Sequence, residues 1–384
     1  MFDNKYINYS QKTKQELYQT LILFHILSNK SMVFLGKVLL KIALKLHIPI
    51  FGIIKKTIFQ HFCGGETITE SKQKIKSLGK YNIKTILDYS IEGQLHEDSF
   101  KKTYQEILKN IDTSNKNNQI PFCVFKMTGL ARFQLLEKLN QKIPLSKKEE
   151  NELTILKNRL HLICKKAEEI QTPILIDAEE SWIQDAIDQL VDDLMKRYNT
   201  KLITVYNTIQ LYRWDRLEYL KKLHKKSQND GYKLGLKLVR GAYIEKERKR
   251  AKQKKYKSPI HNTKQACDID FNQAGKYCID NLKDISVCFG THNEESTAMI
   301  MDLMKSKKIN NWDSRIFFAQ LLGMSDNISF HLGYYKYNVA KYVPYGPVKE
   351  VLPYLIRRAE ENSSISGQTN REIKRIKEII KNTQ

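Results

Sequence analysis

Charged and polar side chains stand at or near the ends of several short apolar stretches of this sequence. The residues concerned are Lys126, Asp177, Glu179, Glu180, Gln210, Lys237, Arg240, Thr291, His292, Asn293, Gln320 and Tyr342. A charge in an apolar stretch is costly to bury unless it is paired or bound to a ligand. We therefore expect some of these groups to pair with one another, as Asp177 and Lys126 could, and the rest to line a binding site.

The stretches that carry these residues read as eight β-strands separated by helical segments. They span residues 84–90, 120–127, 172–180, 201–208, 233–243, 285–293, 314–321 and 339–346. Eightfold strand–helix alternation is typical of a (β/α)8 barrel, an α/β fold whose active sites lie at the carboxyl ends of the strands. A doubly wound open sheet remains the alternative, because periodicity does not show closure. The sequence contains neither GxGxxG nor GxxxxGK[ST], so no Rossmann or P-loop phosphate site is indicated.

An N-terminal helical region, residues 1–75, precedes the predicted barrel of residues 76–384, with a turn at 62–66 (FCGGE). Its most apolar window, 31–59, carries Lys37, Lys41 and Lys45 at intervals of four, on one helix face. Each lysine costs about 2.5–3.5 kcal/mol near a bilayer centre, which disfavours a membrane span. Pro49 predicts a helix end near Ile48. An amphipathic helix packed on the main domain is favoured over one lying at a lipid surface.

The composition indicates a folded protein. Of 384 residues, 41% are hydrophobic and 10% aromatic, which excludes disorder of the whole chain. Six cysteines without a CxxC pair predict reduced thiols, and nine histidines without HExxH predict no metal site. The first twenty residues lack the apolar core of a secretory signal, and the first arginine is Arg132, which argues against a mitochondrial transit peptide. We expect a bacterial cytoplasmic protein.

Six segments resemble the proline dehydrogenase family, in particular its shorter eukaryote- and Bacteroidetes-like branch. They are LDYSIEG (87–93), IDAEE (176–180), KLVRGAY (237–243), FGTHN (289–293), QLLGM (320–324) and YVPYGPVKEVLPYLIRRAEENSS (342–364). The last segment is long, and its match in register with five others is not expected by chance. The resemblance implies a distorted (β/α)8 barrel that binds FAD at the carboxyl ends of its strands.

The resemblance also implies which residues bind the substrate, a small amino acid. Arg357 and Arg358 match paired arginines that hold its carboxylate, a planar, charge-assisted recognition that lysine does not copy. Tyr342 matches a tyrosine that packs on the proline ring near C4, which favours proline over hydroxyproline. Glu92 matches a glutamate that closes over the site by pairing with Arg357.

Three further positions match the active-site charges of the family. Lys126 and Asp177 match its catalytic lysine and aspartate, and Asp177 is expected to orient one of the arginines. Lys237 stands where many bacterial members have an arginine at the flavin N5 edge. Lysine keeps the positive charge but loses the fork geometry of a guanidinium.

For the cofactor, the resemblance implies a set of contacts at the strand ends. The matching residues are Ala178, Gln210, Lys237, Arg240, Gly241, Ala242, Thr291, His292, Asn293 and Glu361. Backbone amides at 240–242 and the polar side chains at 291–293 are expected to serve the pyrophosphate and ribityl chain. Glu361 follows Arg357 by one helical turn, so it either orients the arginines or contacts the flavin.

The activity that the resemblance implies is the first step of proline catabolism. L-Proline is oxidised to Δ1-pyrroline-5-carboxylate by hydride transfer from C5 to N5 of FAD, and the electrons pass to a membrane quinone. The barrel and its leading helices already use the 384 residues, so we expect a separate pyrroline-5-carboxylate dehydrogenase to take the product. Peripheral attachment to the inner face of the plasma membrane is left open.

Two alternatives remain. The net charge of +23 and the run EKERKRAKQKKYK (245–257) suggest a nucleic-acid-binding protein. No stacking aromatics or zinc knuckle accompany that run, so we expect a solvated helix face and no nucleic-acid partner. The other alternative is a different barrel oxidoreductase or an inactive family member, although every charged position matched to the family is filled. If the surplus charge has a role, attraction to an anionic, quinone-containing membrane is favoured.

Overall fold

Eight parallel strands close into a barrel in the computed structural model, which describes residues 2, 13–90, 96–364 and 366–382. The strands are β1 (Ile83–Tyr89), β2 (Cys123–Lys126), β3 (Ile174–Asp177), β4 (Val205–Gln210), β5 (Leu234–Val239), β6 (Ile285–Gly290), β7 (Ile316–Leu321) and β8 (Val339–Tyr345). They follow one another in sequence order, and β8 pairs with β1 from Ile83↔Val339 to Tyr89↔Tyr345. The predicted barrel is confirmed, and the open sheet is excluded.

Apolar side chains fill the strands because both faces of a parallel barrel strand are buried. A cluster inside the barrel includes Ile86, Val124, Leu175, Cys288 and Tyr342, each from a different strand. A larger cluster lies between the strands and the surrounding helices. Tyr342 therefore belongs to the barrel interior.

Sixteen helices are present within the described ranges. They are α1 (Lys14–Ser28), α2 (Lys30–Lys45), α3 (Phe51–Ile54), α4 (Gln60–Phe62), α5 (Ile68–Gly79), α6 (Glu97–Asn115), α7 (Phe133–Asn140), α8 (Lys147–Ile170), α9 (Ser181–Tyr198), α10 (Arg216–Asp230), α11 (Ile244–Lys254), α12 (Lys264–Asp280), α13 (Glu294–Ser306), α14 (Asp326–Tyr334), α15 (Val348–Ser364) and α16 (Ser366–Asn382). A π-helical turn (Lys55–Phe59) joins α3 to α4, and a 3-10 turn (Met127–Gly129) follows β2. The boundary predicted between residues 75 and 76 falls inside α5.

The N-terminal helices share a second apolar core with α15 and α16. Leu17, Phe24 and Leu27 of α1 pack in a cluster that contains Leu355 of α15 and Ile376 of α16. The first helices are thereby fixed to the helix that bears the paired arginines.

Helix α2 ends earlier than the sequence predicted. We expected an end near Ile48, before Pro49, but the helix stops at Lys45. His47 has a φ of 56°, its N–H donates to Leu44 O, and the N–H of Ile48 donates to Ala43 O at 2.9 Å. This pair of bonds is a Schellman C-cap, which ends a helix through a left-handed residue.

Within the described ranges, no single helix is long and apolar enough to cross a bilayer. Helices α1 and α2 reach that length and composition only when they are taken together, and the chain bends by 93° between them.

Candidate functional site

The polar residues singled out at the strand ends meet at one mouth of the barrel. Lys126, Asp177 and Gln210 are the last residues of β2, β3 and β4, and Lys126 is the register partner of Asp177. Parallel strands bring their carboxyl ends to the same side of the barrel, as the sequence predicted.

Lys237, Asp177 and Tyr342 form a connected unit inside this mouth. The Nζ of Lys237 donates a short hydrogen bond to Oδ1 of Asp177 and a second, of 2.8 Å, to the hydroxyl oxygen of Tyr342. The same Nζ lies 4.6 Å from the centre of the Tyr342 ring. Lys237 is only 5% exposed, and a buried ammonium is tolerated because it is paired.

The phenol of Tyr342 stays protonated in this unit. Burial, together with the neighbouring Asp177 carboxylate, raises the pKa of Tyr342 well above its usual value. The hydroxyl lies 3.4 Å from Oδ1 of Asp177, which it can approach as a donor while it accepts from Lys237. Tyr342 therefore contributes a neutral ring and a hydrogen-bonded hydroxyl.

The pairing of Asp177 differs from the expectation. Asp177 was expected to orient one of the arginines, but its carboxylate accepts from Lys237, which comes from a strand of the barrel itself. Glu361 takes that role instead, because its Oε1 accepts from Nη2 of Arg358 at 2.6 Å. Arg358 and Glu361 lie three positions apart on α15, which places both on one helix face.

Arg358 is buried and keeps an unused donor. Its side chain is 7% exposed, and its guanidinium carbon lies 5.1 Å from the centre of the Tyr354 ring. Among the described residues, the Nε of Arg358 has no hydrogen-bond partner. A buried guanidinium N–H without a partner carries an energetic penalty that an anionic ligand would remove.

Three cationic side chains of the site act on the carboxyl group of Glu361. Burial raises the pKa of the Glu361 carboxyl, while Arg358, Arg357 and Lys126 act in the opposite direction. Residues from β2 and α15 thus lie within electrostatic range of one another. Glu92 lies in segment 91–95, outside the described residues, and its pairing with Arg357 stays a prediction.

Arg240 joins the ends of β5 and β6. Its guanidinium donates to Oδ1 of Asp268 at 2.7 Å, to Oγ1 of Thr291 at 2.6 Å and to Oγ of Ser296 at 2.8 Å, above the ring of Phe271. The side chain is thus held by the protein, which leaves the backbone that follows it for a cofactor. Asp268 and Ser296 were missed, because they lie on α12 and α13, remote in sequence and outside the matched segments.

Gly241 is required by its geometry. Its φ is +126°, and a Cβ built on it would lie 2.5 Å from the ring of Tyr212. Any other residue would be strained and would also clash. Glycine at this position therefore lets the turn after β5 pack directly against the Tyr212 ring, which fixes the backbone of Gly241 and Ala242.

His292 is neutral. Burial, together with the charges of Lys341 and Arg358, lowers the pKa of His292 to about 3, and its Nδ1 lies 2.9 Å from Oγ of Ser325.

Asn293 begins a helix. It was expected to contact the cofactor, and its Oδ1 accepts the Ser296 N–H at 2.9 Å as the N-cap of α13.

Gln210 and Glu179 connect two strand ends. The amide Nε2 of Gln210 donates to the backbone oxygen of Glu179 at 2.7 Å, and Ala178 between β3 and Glu179 is buried. Glu179 accepts from the N–H of Thr128 at 2.9 Å, and burial raises its pKa to about 7. Its position was noted in the sequence, but no role was assigned to it.

Lys341 was missed as a site residue. It is fully buried in β8, and its Nζ donates to the backbone oxygen of Met324 at 2.6 Å and pairs with Oδ1 of Asp326 at 2.9 Å. It thereby fixes the turn that carries Ser325, the partner of His292. A lysine inside the apolar segment VAKYVPY was the signal that could have found it.

The residues present fit a flavin dinucleotide. Lys237 holds a positive charge inside the mouth, and among the described residues the Nε of Arg358 is a buried donor without a hydrogen-bond partner. Cations and backbone amides suit an anionic cofactor and a carboxylate substrate. In the described ranges, no group of three His, Cys, Asp or Glu side chains is arranged to hold a metal ion, and the six cysteines are free and buried.

The fold and site together define a (β/α)8-barrel protein with a cationic ligand site at the carboxyl ends of its strands. The sequence profile of the family described as "Proline dehydrogenase" matches residues 71–371. The chain therefore belongs to the proline dehydrogenase family.

Two curated relatives cover most of the chain. "Proline dehydrogenase 1, mitochondrial" of Dictyostelium discoideum is 32% identical over 422 aligned positions, which cover 97% of this chain and 73% of the relative. "Carbapenem antibiotics biosynthesis protein CarD" of Pectobacterium carotovorum subsp. carotovorum is 31% identical over 335 residues, 86% of this chain and 85% of the relative.

A solved structure supports the fold. Proline utilization A (PutA) from Bdellovibrio bacteriovorus, inactivated by N-propargylglycine, superposes with a TM-score of 0.73 at 22% identity. The match covers 94% of this chain but only 38% of that longer protein. The likeness shows the shared fold.

Proposed function

We propose that this protein oxidises L-proline to Δ1-pyrroline-5-carboxylate with FAD as its bound cofactor. The observation that carries the proposal is the buried guanidinium of Arg358, whose Nε has no partner among the described residues, at the barrel mouth of a proline dehydrogenase family member. An amino-acid carboxylate is the anion that such a donor would recognise.

The substrate is held by groups from two sides. Arg357 and Arg358 bind its carboxylate, and Glu361 orients Arg358 through the 2.6 Å hydrogen bond between them. Tyr342 offers the apolar face of its ring to the pyrrolidine, since its hydroxyl is already hydrogen-bonded to Lys237. Because the substrate is held in a fixed orientation, it loses less entropy when it reaches the reactive geometry.

The same charges favour a neutral substrate amine, which hydride loss from C5 requires. Asp177 is a carboxylate inside the mouth, and Lys237 already neutralises it. A substrate ammonium would also lie near the cations Lys237 and Arg358, and nearby positive charge disfavours a protonated amine.

FAD, when bound, supplies the two-electron acceptor for this oxidation. Gln210, Thr291, His292 and the backbone at Gly241 and Ala242 would hold it. Lys237 keeps a positive charge inside the barrel, which stabilises negative charge that develops beside it.

The wider setting is part of the same proposal. The electrons pass to a membrane quinone, and the product leaves for a separate pyrroline-5-carboxylate dehydrogenase. The protein works in the bacterial cytoplasm, peripherally attached to the inner face of the plasma membrane. The net charge of +23 supports attraction to an anionic surface.

The proposal is tested by incubating the purified, FAD-loaded protein with L-proline and a soluble redox dye. We expect dye reduction together with a product lighter than proline by two hydrogens, detected by mass spectrometry. D-Proline serves as the control for recognition of the carboxylate. Faster dye reduction with another cyclic imino acid would overturn the substrate assignment, and no dye reduction with any of them would overturn the activity.

A further inference from the structure

Helix α2 exposes apolar side chains on its surface. Phe34 is 68% exposed, Leu35 57%, Leu39 56% and Ile42 48%, whereas Val33 of the same helix is buried in the second core. Leu35, Leu39 and Ile42 follow one another at intervals of four and three, so they share one face of the helix. We call Phe34, Leu35, Leu39 and Ile42 the α2 apolar face.

Apolar side chains are also exposed in the chain segments before and after this helix. Leu46, Ile48 and Ile53 follow α2 and are 64%, 45% and 68% exposed. Tyr18 and Ile22 are exposed at an interval of four on α1. Such a concentration is unusual on a soluble surface and marks a site of interaction.

The charge of the same region is strongly biased. Residues 13–62 contain one acidic residue, Glu16, and seven lysines: Lys14, Lys30, Lys37, Lys41, Lys45, Lys55 and Lys56. Lys41 and Lys45 are exposed on α2 and form no ion pair with any residue in the described ranges. Apolar side chains bordered by lysines match the boundary between acyl chains and anionic head groups.

We propose that the α2 apolar face is the surface through which this protein docks on an anionic lipid bilayer. The leucines and Ile42 enter the acyl boundary, while Lys41 and Lys45 extend their ammonium groups to the head groups. The helix lies in the plane of the interface, because neither α1 nor α2 alone is able to span a bilayer. This deepens the proposed function and rests on it only in placing the electron acceptor in a membrane.

The helix that bears the α2 apolar face packs against α15, which forms part of the substrate site. Lys37 of α2 forms an ion pair with Glu360 of α15, and Val33 packs in the same core as Val351 and Leu355 of α15. Helix α15 also carries the paired arginines. Lipid contact would thus take place one helix away from the helix that binds the substrate carboxylate.

The experiment is flotation of the FAD-loaded protein with vesicles of phosphatidylcholine alone or of phosphatidylcholine with phosphatidylglycerol. The test variant combines Leu35→Ser, Leu39→Ser and Ile42→Ser. Its matched control combines Ile143→Ser, Leu162→Ser and Leu202→Ser, which are exposed by similar fractions on other surfaces. A third variant combines Lys41→Gln and Lys45→Gln.

We expect the wild type and the matched control to float with anionic vesicles, and to do so less at high salt. The test variant should lose roughly tenfold or more in vesicle affinity, since it lacks three apolar side chains that would be buried in the bilayer. The lysine variant should lose its preference for anionic over neutral vesicles. Proline-dependent reduction of the soluble dye should be the same in all of them.

Several results would overturn the proposal. Equal flotation of the test variant and the wild type would show that another surface binds lipid, and equal wild-type binding to neutral and anionic vesicles would remove the role of charge. A wild-type dimer that the test variant converts to monomer, with no flotation of either, would assign the face to a second copy. Dye reduction without flotation would refute docking alone, whereas flotation without dye reduction would refute the proposed activity alone.

Discussion

Replacement of Arg358 by methionine separates substrate binding from cofactor binding. The side chain is 7% exposed and its Nη2 is held by Glu361 at 2.6 Å, so the guanidinium is fixed in place before the substrate arrives. A hydrogen bond to a charged group contributes about 1.5–3 kcal/mol. At 1.36 kcal/mol per tenfold change, Arg358→Met should lower kcat/KM for L-proline by about 10- to 150-fold, chiefly through KM.

The fold should tolerate this change. Burial already raises the pKa of Glu361, and loss of the Arg358 cation raises it further, which favours protonation of the carboxyl, while Arg357 and Lys126 still offset its charge. Arg358→Lys keeps the charge without the planar fork and should fall between the wild type and Arg358→Met.

The assay is steady-state dye reduction over a range of proline concentrations, with the ratio of flavin to protein measured on the same samples. We expect a raised KM and an unchanged flavin ratio. An unchanged KM, or loss of flavin from the variant, would mean that Arg358 does not hold the substrate carboxylate.

Three further changes probe other parts of the mouth. Tyr342→Ser should lower kcat/KM more for proline than for trans-4-hydroxyproline, because removal of the tyrosine ring leaves room for the substrate hydroxyl; equal losses for both substrates would contradict this role. Tyr342→Phe should cost only about 1 kcal/mol, through the lost hydrogen bond to Lys237. Gly241→Ala places a Cβ 2.5 Å from the Tyr212 ring at a φ of +126°, which costs about 1–3 kcal/mol and displaces the turn after β5. The change should lower the flavin-to-protein ratio, and full flavin loading would show that this turn does not contact the cofactor. His292 stays neutral in the native state, with a pKa lowered to about 3, whereas its unfolded form takes up a proton below about pH 6.5. Native stability should therefore fall as the pH decreases from about 6.5 to 3, by about 2 kcal/mol at pH 5, and urea unfolding of His292→Gln should show a correspondingly smaller loss.

The eight strands were predictable because each is an apolar stretch bounded by helical segments. Each of the eight stretches overlaps a strand of the closed barrel, and the polar residues at their ends meet where strand geometry requires. Lys126, Asp177 and Gln210 illustrate this, since position along the strand alone brings them together.

The pairing of charges within the site was not predictable in the same way. Asp177 has Lys126 as its register neighbour, yet it accepts from Lys237, two strands away across the mouth. The partner of Asp177 depends on which side chains point into the interior of the barrel. Likewise, Arg240 finds Asp268 on a helix whose rotation about its axis the sequence does not fix.

The basic run at 245–257 became interpretable only in the structure. Residues Ile244–Lys254 form α11, where Lys246 pairs with Glu180 and Arg250 with Glu137 at 2.6 Å. Part of its charge is therefore used to attach the helix to its neighbours. The charge that the fold leaves exposed beside apolar residues lies instead on α2.

The measurement that tests the central claim most directly is the visible absorbance of the FAD-loaded protein under anaerobic conditions, before and after addition of L-proline. The account predicts that the flavin bands bleach on addition of L-proline and return when an oxidant is admitted. D-Proline, which presents its carboxylate on the opposite side of the ring, should bleach them far more slowly. A protein that cannot be loaded with FAD, or whose bound flavin stays oxidised in saturating L-proline, would contradict it.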